Sequence, residues 1–181
     1  ALYMAKLRGN TSYYVRGTFT HENLDFAEDV KAMVEAGFDS VSVEPVVTDL
    51  KGIEISESDL PKICEEYDKL ARYYLERYDE GKPFTFFHYF IDLETSPCMT
   101  KRLTGCGSGC EYVAVSPDGK IYPCHQFCEQ ERYCMGDVWG NEGVPGVADY
   151  FATNIVTRKK DCENCFAKYY CSGGCAANNI K

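Results

Sequence analysis

The sequence predicts an α/β protein in two parts, with strand–helix units over residues 1–97 and a small cysteine-rich region with a β-hairpin over residues 98–181. Two observations support this prediction. First, runs of β-branched and aromatic residues alternate with runs of helical periodicity up to about residue 91, the pattern of parallel β/α units. Second, helical periodicity fades from about Cys98, and ten of the eleven cysteines lie there or beyond.

Five segments make up the strand–helix part. We expect strands at residues 12–20, 38–47 and 84–91, and amphipathic helices at residues 21–37 and 59–79, each helix ending near a glycine. The last strand is a nearly continuous apolar run, as expected where both faces of a sheet are covered. Because three strands cannot close a barrel and would leave a sheet edge open, we expect the sequence to be a fragment of a longer chain.

The longer helix carries an apolar stripe with helical spacing. Cys64 lies on this stripe, and we expect it to pack in the core rather than to bind a metal. The residues expected to face inward are Leu60, Ile63, Tyr67, Leu70, Ala71, Tyr74 and Tyr78.

One hairpin is evident in the cysteine-rich region. Residues 111–116 and 120–124 flank the tripeptide Pro-Asp-Gly at 117–119, and Asp-Gly is a strong signal for a tight turn between two strands. A short helix is expected over residues 147–159.

Composition argues against nucleic-acid-binding, membrane-spanning and exported proteins. A formal net charge of −9 argues against nucleic acid or an anionic membrane as the main partner. No run approaches the roughly 20 apolar residues of a membrane span, and the N-terminal residues lack the apolar stretch of a signal peptide. We therefore expect a cytoplasmic protein, in which cysteines bind metals as thiolates rather than form disulfides.

The most specific motif is a group of four closely spaced cysteines near the end of the chain. A CxxC turn places two thiolates on one metal, and Cys171 and Cys175 are expected on one side of a helical turn. Zinc and iron–sulfur clusters both accept ligation by sulfur alone, so the spacing leaves both open, including a zinc- or cluster-binding module without enzymatic activity. The cysteines of this motif are Cys162, Cys165, Cys171 and Cys175, and upstream Cys106 and Cys124 flank the hairpin with its Gly119.

The pattern C-x12-G-x4-C followed by CxxC-x5-C-x3-C resembles the SPASM extension of radical S-adenosylmethionine peptide-modifying enzymes. Within that group the chain resembles the maturases of six-cysteine (SCIFF) peptides over nearly its whole length. This resemblance implies the C-terminal part of a partial (β/α)6 barrel followed by a truncated SPASM domain. The sequences that carry it are YYVRGTFTHENLDF, SVEPVV, FFHYFIDLE, KRLTGCGSG, EYVAVSPDGKIYPCHQF and CFAKYYCSGGCAAN.

The resemblance implies two auxiliary 4Fe–4S clusters. The cluster that cleaves S-adenosylmethionine binds a CX3CX2C loop in that family, and this chain contains none, so we expect the chain alone to be inactive. A fourth ligand of the second cluster is expected beyond residue 181. The implied ligands are Cys106, Cys124 and Cys175 for the first cluster and Cys162, Cys165 and Cys171 for the second.

The fourth position of the first cluster is left open by the resemblance. Cys110, four residues after Cys106, and Cys98 are the candidate protein ligands, and a substrate thiol is the alternative. Either cysteine is equally compatible with a small buried apolar role. Cys128 and Cys134 match no family position.

The resemblance also implies residues that bind S-adenosylmethionine. Arg16, expected at the C-terminal end of the first strand, suits the cofactor's carboxylate, and a structural ion pair is the alternative. Glu44 suits the cofactor's amino or ribose groups, or caps a strand. His88 is expected to be a hydrogen-bonded core histidine, and His125 is a candidate neighbour of the first cluster.

The implied reaction joins a cysteine sulfur to a peptide carbon as a thioether, after a 5′-deoxyadenosyl radical has removed a hydrogen atom. The implied partners are a cysteine-rich precursor peptide and an electron donor such as flavodoxin or ferredoxin. The alternatives are another SPASM enzyme, for example of the sulfatase-maturing type, and the binding module named above.

Overall fold

The computed structural model describes Tyr3, Leu7, residues 12–90 and residues 99–180. The chain forms two compact units, Ala1–Ile91 and Asp92–Lys181. The predicted boundary between residues 97 and 98 lies outside the described residues, as does Cys98. The assignment of the two parts to a barrel and a SPASM domain stays a prediction.

The first unit is built on a parallel sheet of three described strands, as the alternation of strands and helices predicts. The order in the sheet is β1-β2-β3, and both pairs are parallel. These described strands do not form a closed barrel. The elements are β1 (Val15–Phe19), α1 (Phe26–Glu35), β2 (Ser40–Pro45), a 3₁₀ turn (Glu57–Asp59), α2 (Leu60–Asp79) and β3 (Thr85–Phe86).

One face of this sheet is apolar and the other is polar. Side chains alternate along a strand, so Val41 and Val43 share one face while Ser42 and Glu44 share the other. The apolar face packs against the helices in one core. The buried residues of that core are Phe19, Phe26, Ala27, Val30, Val34, Phe38, Val41, Val43, Leu70, Phe84 and Phe86.

The predicted inward face of α2 is wrong at both ends of the helix. Leu60 and Tyr78 are exposed, whereas Leu70 is fully buried. At 1.5 Å per residue, the 20 residues of α2 are twice as long as the 10 of α1, so the ends of α2 extend beyond the helix that packs against it. The same pattern missed Glu66, which is buried.

The core position predicted for Cys64 is also wrong, because this thiol is exposed. Cys64 shares a helical face with Asp68, four residues on, and with Leu75, and both of these side chains are exposed. The predicted inward residues Ile63 and Tyr67 do pack against the core, so the apolar stripe of α2 does not include Cys64.

The strand predicted over residues 84–91 is much shorter than expected. β3 covers only Thr85–Phe86, and a 3₁₀ turn follows over Phe87–Tyr89, closed by the Phe90 N–H to the Phe87 carbonyl at 3.1 Å. The turn directs His88 towards Glu44, and the Tyr89 hydroxyl donates to the Tyr67 carbonyl at 2.8 Å. These side-chain contacts compete with continued pairing of β3. The apolar sequence of residues 84–91 predicts a longer strand because it gives no sign of such contacts.

The second unit contains an antiparallel sheet of three short described strands. The first two pair on either side of residues 117–119, where Gly119 has a φ of 78° and donates to the Ser116 carbonyl at 2.8 Å. The third strand, which the sequence did not predict, pairs with the second. Assignment of this sheet to a SPASM domain stays a prediction. The strands are β4 (Ala114–Val115), β5 (Lys120–Tyr122) and β6 (Gly136–Asp137).

The helices of the second unit are short. The helix predicted over 147–159 ends at Ala152 and is followed by the 3₁₀ turn Val156–Arg158. None of the helices in the described ranges is long and apolar enough to cross a membrane. The helices are α3 (Met99–Thr104), α4 (Val147–Ala152), α5 (Lys168–Cys171) and α6 (Ala176–Ile180), and the other 3₁₀ turns are His125–Phe127, Glu131–Tyr133 and Lys160–Cys162.

We predict that Phe26→Ala lowers the free energy of unfolding by about 3–5 kcal/mol, because it opens a cavity in the core of the first unit. The Phe26 ring is fully buried, and its centroid lies 4.5 Å from that of Phe19 and 5.0 Å from that of Tyr67. Denaturant unfolding measures the change. Phe90→Ala, at an exposed position, is the control and should change the value by at most about 0.5 kcal/mol. Equal losses in the two variants would contradict this description of the core.

Candidate cofactor and metal-binding sites

The polar face of the parallel sheet borders a cavity of about 190 Å³ that contains both residues predicted to bind a cofactor. Arg16 comes from β1 and Glu44 from the end of β2. The prediction that Arg16 lies at the C-terminal end of its strand is wrong, because β1 continues to Phe19. The cavity is lined by Tyr14, Arg16, Ser40, Val41, Ser42, Glu44, Thr85 and Phe87.

The carboxylate of Glu44 is held at both oxygens. The Ser42 hydroxyl donates to Oε1 at 2.5 Å, and Nε2 of His88 lies 2.9 Å from Oε2. The hydrogen bond from His88 holds the pKa of Glu44 below its usual value, assisted by Ser42 and by the charge of Arg16, and these effects outweigh burial. Glu44 is therefore a carboxylate at neutral pH, and it faces a cavity that also contains a guanidinium group.

His88 is itself held by a tyrosine of α2. The Tyr67 hydroxyl lies 2.7 Å from Nδ1 of His88. Burial, with the nearby Glu44 charge and Tyr89, raises the pKa of Tyr67 to about 12, so this hydroxyl stays protonated at neutral pH. His88 is hydrogen-bonded, as expected, but it is only partly buried and is not one of the buried core residues.

Sequence reasoning missed Ser42 and Tyr67 as partners in this network. The spacing of Ser42 and Glu44, two residues apart on one strand, was an available signal that their side chains share a face. Tyr67 was predicted as a core residue, and its ring does pack against the core. Its polar contact with His88 joins residues 21 positions apart, which no local pattern indicates.

In the second unit, the three cysteines predicted for the first cluster lie close enough to influence one another. Cys124 is buried, while Cys106 and Cys175 are exposed. Burial raises the pKa of the Cys124 thiol, and the neighbouring Cys175 and Cys106 add to the shift. Burial raises the pKa of the Tyr112 hydroxyl, and the neighbouring Cys124 and Cys106 add to the shift.

Cys110 lines a cavity of about 240 Å³ together with Cys106. The Cys110 N–H donates to the Gly107 carbonyl at 3.0 Å, in a turn whose glycines have positive φ angles. The same cavity includes Lys159 and Ser172. Cys110 is thus beside a predicted cluster ligand, whereas the competing Cys98 lies outside the described residues.

The cysteines predicted for the second cluster lie on a turn and a short helix. The Cys165 N–H donates to the Cys162 carbonyl at 3.2 Å, which closes the predicted CxxC turn. The expectation that Cys171 and Cys175 share a helical turn is wrong, because α5 ends at Cys171. The next three residues, Ser172, Gly173 and Gly174, have φ angles of 56°, 80° and 74°, left-handed conformations that end a helix.

The side chains of His125 and Cys134 form hydrogen bonds with residues other than the predicted ligands. His125 is exposed, and its Nε2 lies 3.3 Å from the Gln126 amide nitrogen. Cys128 and Cys134 are half-buried, and the Cys134 thiol lies 3.4 Å from the Gly136 carbonyl. Within the described ranges every cysteine is a free thiol.

The donor chemistry of the second unit fits iron–sulfur clusters. Among the described residues, no three His, Cys, Asp or Glu side chains are close enough to hold a single metal ion. A cluster attaches each cysteine to a different iron atom, so its ligands are farther apart than those of one ion. Cys124 has Cys106 and Cys175 as neighbours, so the three residues proposed for the first cluster lie in one part of the second unit.

The solved structures similar to this chain include two of anSMEcpe, a SPASM-domain radical S-adenosylmethionine anaerobic sulfatase maturase. One has bound AdoMet and the Kp18Cys peptide, with a TM-score of 0.61. The other has bound AdoMet, with a TM-score of 0.62. Each match has 16% sequence identity and covers 97% of this chain and 51% of the other.

The chain therefore spans about half the length of the solved structures it matches, and at this identity the likeness shows a shared fold. No protein-family profile and no curated protein matches the chain.

We predict that Glu44→Gln removes a pH-dependent contribution to stability. The folded-state pKa of Glu44 is below the usual 4.5, so its contribution is present above pH 4.5 and is lost as the pH falls through the folded-state pKa. The variant should be less stable by about 1 kcal/mol at pH 7, and the difference should shrink towards zero in acid. Denaturant unfolding from pH 7 to pH 3 measures this, with the exposed Glu65→Gln as control. A difference independent of pH would contradict the assignment.

Proposed function

We propose that this chain is part of a radical S-adenosylmethionine enzyme that forms thioether crosslinks in a peptide substrate. The observation that carries the proposal is a fold shared, over 97% of the chain, with a structure that holds AdoMet and a peptide. The sequence resemblance to SCIFF maturases supplies the finer part, the thioether product. The chain spans about half the length of the matched structure.

The first unit would bind S-adenosylmethionine on the polar face of its sheet. The guanidinium of Arg16 suits bidentate binding of the cofactor's carboxylate. Glu44 is a carboxylate with both oxygens held in place, so it can accept hydrogen bonds from the cofactor's amino or ribose groups. The two opposite charges in one cavity of about 190 Å³ support a ligand that carries both signs of charge.

The second unit would hold two auxiliary 4Fe–4S clusters. We propose Cys106, Cys124 and Cys175 for the first, with its fourth position taken by Cys110, Cys98 or a substrate thiol. The ligands proposed for the second are Cys162, Cys165 and Cys171, with a fourth from beyond residue 181.

When bound, S-adenosylmethionine supplies a radical that removes a hydrogen atom, and the clusters supply electron transfer and a binding position for a thiolate. The chain's own contribution is to position these groups: the backbone turns fix the cysteines, and the polar sheet face orients the cofactor. The partners proposed are a cysteine-rich precursor peptide and an electron donor such as flavodoxin or ferredoxin, and the proposed location is the cytoplasm.

A second candidate is a peptide-oxidising enzyme of the sulfatase-maturing type. The observation that favours it is that both matched structures are of such an enzyme. The sequences GCGSG at 105–109 and YPCHQF at 122–127 favour the thioether reaction instead, because they carry the resemblance to SCIFF maturases.

We predict that the complete enzyme, reconstituted with iron and sulfide and supplied with a reductant, crosslinks a cysteine-rich peptide. Each thioether removes one S–H and one C–H hydrogen, so mass spectrometry should detect the loss of two hydrogen atoms and one alkylatable thiol per crosslink. Fragment ions between the joined residues should be missing. Oxidation of the peptide without a crosslink would support the sulfatase-maturing candidate, and no cleavage of S-adenosylmethionine would contradict both.

We predict that Cys106→Ser lowers the iron content of the reconstituted enzyme by up to about four atoms, those of one 4Fe–4S cluster. Cys64→Ser is the matched control, since Cys64 is also an exposed thiol but lies on a helix of the first unit. Iron analysis and visible absorption measure the change. Retention of full iron content by Cys106→Ser, or an equal loss in both variants, would contradict the proposed ligand.

A further inference from the structure

Glu44 is the last member of a hydrogen-bonded series that begins on α2. The Tyr67 hydroxyl contacts Nδ1 of His88 at 2.7 Å, and Nε2 of the same ring contacts Oε2 of Glu44 at 2.9 Å. Tyr67, His88 and Glu44 lie on three different segments, separated by 21 and 44 residues along the chain. The series thus connects the helix layer to the polar face of the sheet.

The two neighbours of His88 favour one tautomer of its ring. In the tautomer with its proton on Nε2, the ring accepts the Tyr67 hydroxyl hydrogen at Nδ1. The Nε2–H then donates to the Glu44 carboxylate, which can only accept. Tyr67 therefore selects the tautomer of His88 that binds Glu44.

The packing around His88 restricts rotation of the ring. Its centroid lies 5.2 Å from that of Phe86, 5.9 Å from that of Tyr67 and 6.3 Å from that of Phe87. A ring restricted on several sides and bound at both nitrogens has one orientation, and this orientation fixes one oxygen of Glu44. Ser42 fixes the other.

Arg16 leaves the Glu44 carboxylate available. The two side chains line one cavity, and Arg16 lowers the pKa of Glu44 through its charge. Nevertheless, among the described residues the hydrogen-bond partners of the Glu44 carboxylate are Ser42 and His88 rather than Arg16. The carboxylate is thus bound at one oxygen by His88 and at the other by Ser42, while the residue lines the cavity.

We propose that His88, with its tautomer set by Tyr67, is a positioning residue that holds the Glu44 carboxylate as a hydrogen-bond acceptor for the cofactor's amino or ribose groups. This inference rests on the proposed binding of S-adenosylmethionine at the polar sheet face. His88 does not touch the cofactor, and it acts through Glu44 alone.

The test is the affinity of the complete, reconstituted enzyme for S-adenosylmethionine, measured by isothermal titration calorimetry without reductant so that the cofactor is not cleaved. His88→Leu removes the donor to Glu44 and should weaken binding about tenfold, the effect of losing one hydrogen bond to a charged group. His88→Gln retains an amide donor and should restore most of the affinity. Phe90→Leu, at an exposed position outside the series, should bind as the unmodified enzyme does.

A double-mutant cycle separates positioning from general packing. If His88 acts through Glu44, then Glu44→Gln combined with His88→Leu should bind no more weakly than Glu44→Gln alone. Additive losses would overturn the inference, as would unchanged binding by His88→Leu or equally weak binding by the Leu and Gln variants at position 88.

Three further cases distinguish a failure of the inference about His88 from a failure of the proposed function. If His88→Leu does not fold, as judged by circular dichroism, Tyr67→Phe decides, because it deletes one oxygen atom: weaker binding supports the inference and unchanged binding overturns it. If the unmodified enzyme does not bind S-adenosylmethionine, the proposed function is wrong and the inference fails with it. Binding that depends on Arg16 but not on His88 overturns the inference alone.

Discussion

The alternation of side chains along β1 and β2 is the constraint on which the rest of the first unit depends. In-register parallel pairing puts Val41 and Val43 on the face that the helices cover, and therefore puts Ser42 and Glu44 on the opposite face. A shift of one residue would exchange the two faces and bury a carboxylate without partners. The same register thus builds the core and places Glu44 beside Arg16 in one cavity.

This constraint explains which features could be predicted from the sequence. The order of strands and helices follows from local periodicity. Arg16 and Glu44, chosen by resemblance, line one cavity, and their role in binding a cofactor stays a prediction. The features that could not be predicted depend on contacts between distant residues. His88 ends the third strand early because it binds Glu44 and Tyr67, and the ends of α2 are exposed because α1 is half its length.

The second unit shows a different limit of sequence reasoning. The CxxC turn and the paired strands beside Gly119 follow from local chemistry, but the helix end at Cys171 depends on the left-handed residues Ser172, Gly173 and Gly174. The Lys159 ammonium and the Asn179 amide both donate to the Gly173 carbonyl, at 2.7 and 2.8 Å, so this turn is held from outside as well as by its own backbone. The spacing of the cysteines predicts that they bind a metal, but it does not predict the left-handed turn that separates Cys171 from Cys175.

The energetics of the Tyr67–His88–Glu44 series favour a role beyond stability. A partly buried hydroxyl, imidazole and carboxylate each lose solvation free energy on folding. The hydrogen bonds among them offset about as much free energy as this loss of solvation costs. Apolar side chains of similar volume would stabilise such a position at least as well. What the series provides that apolar packing cannot is a carboxylate with a fixed orientation and a fixed charge at the edge of a cavity that contains Arg16. A preorganised acceptor of this kind lowers the cost of ordering when a charged ligand binds, which is the property that a cofactor site on the polar face requires.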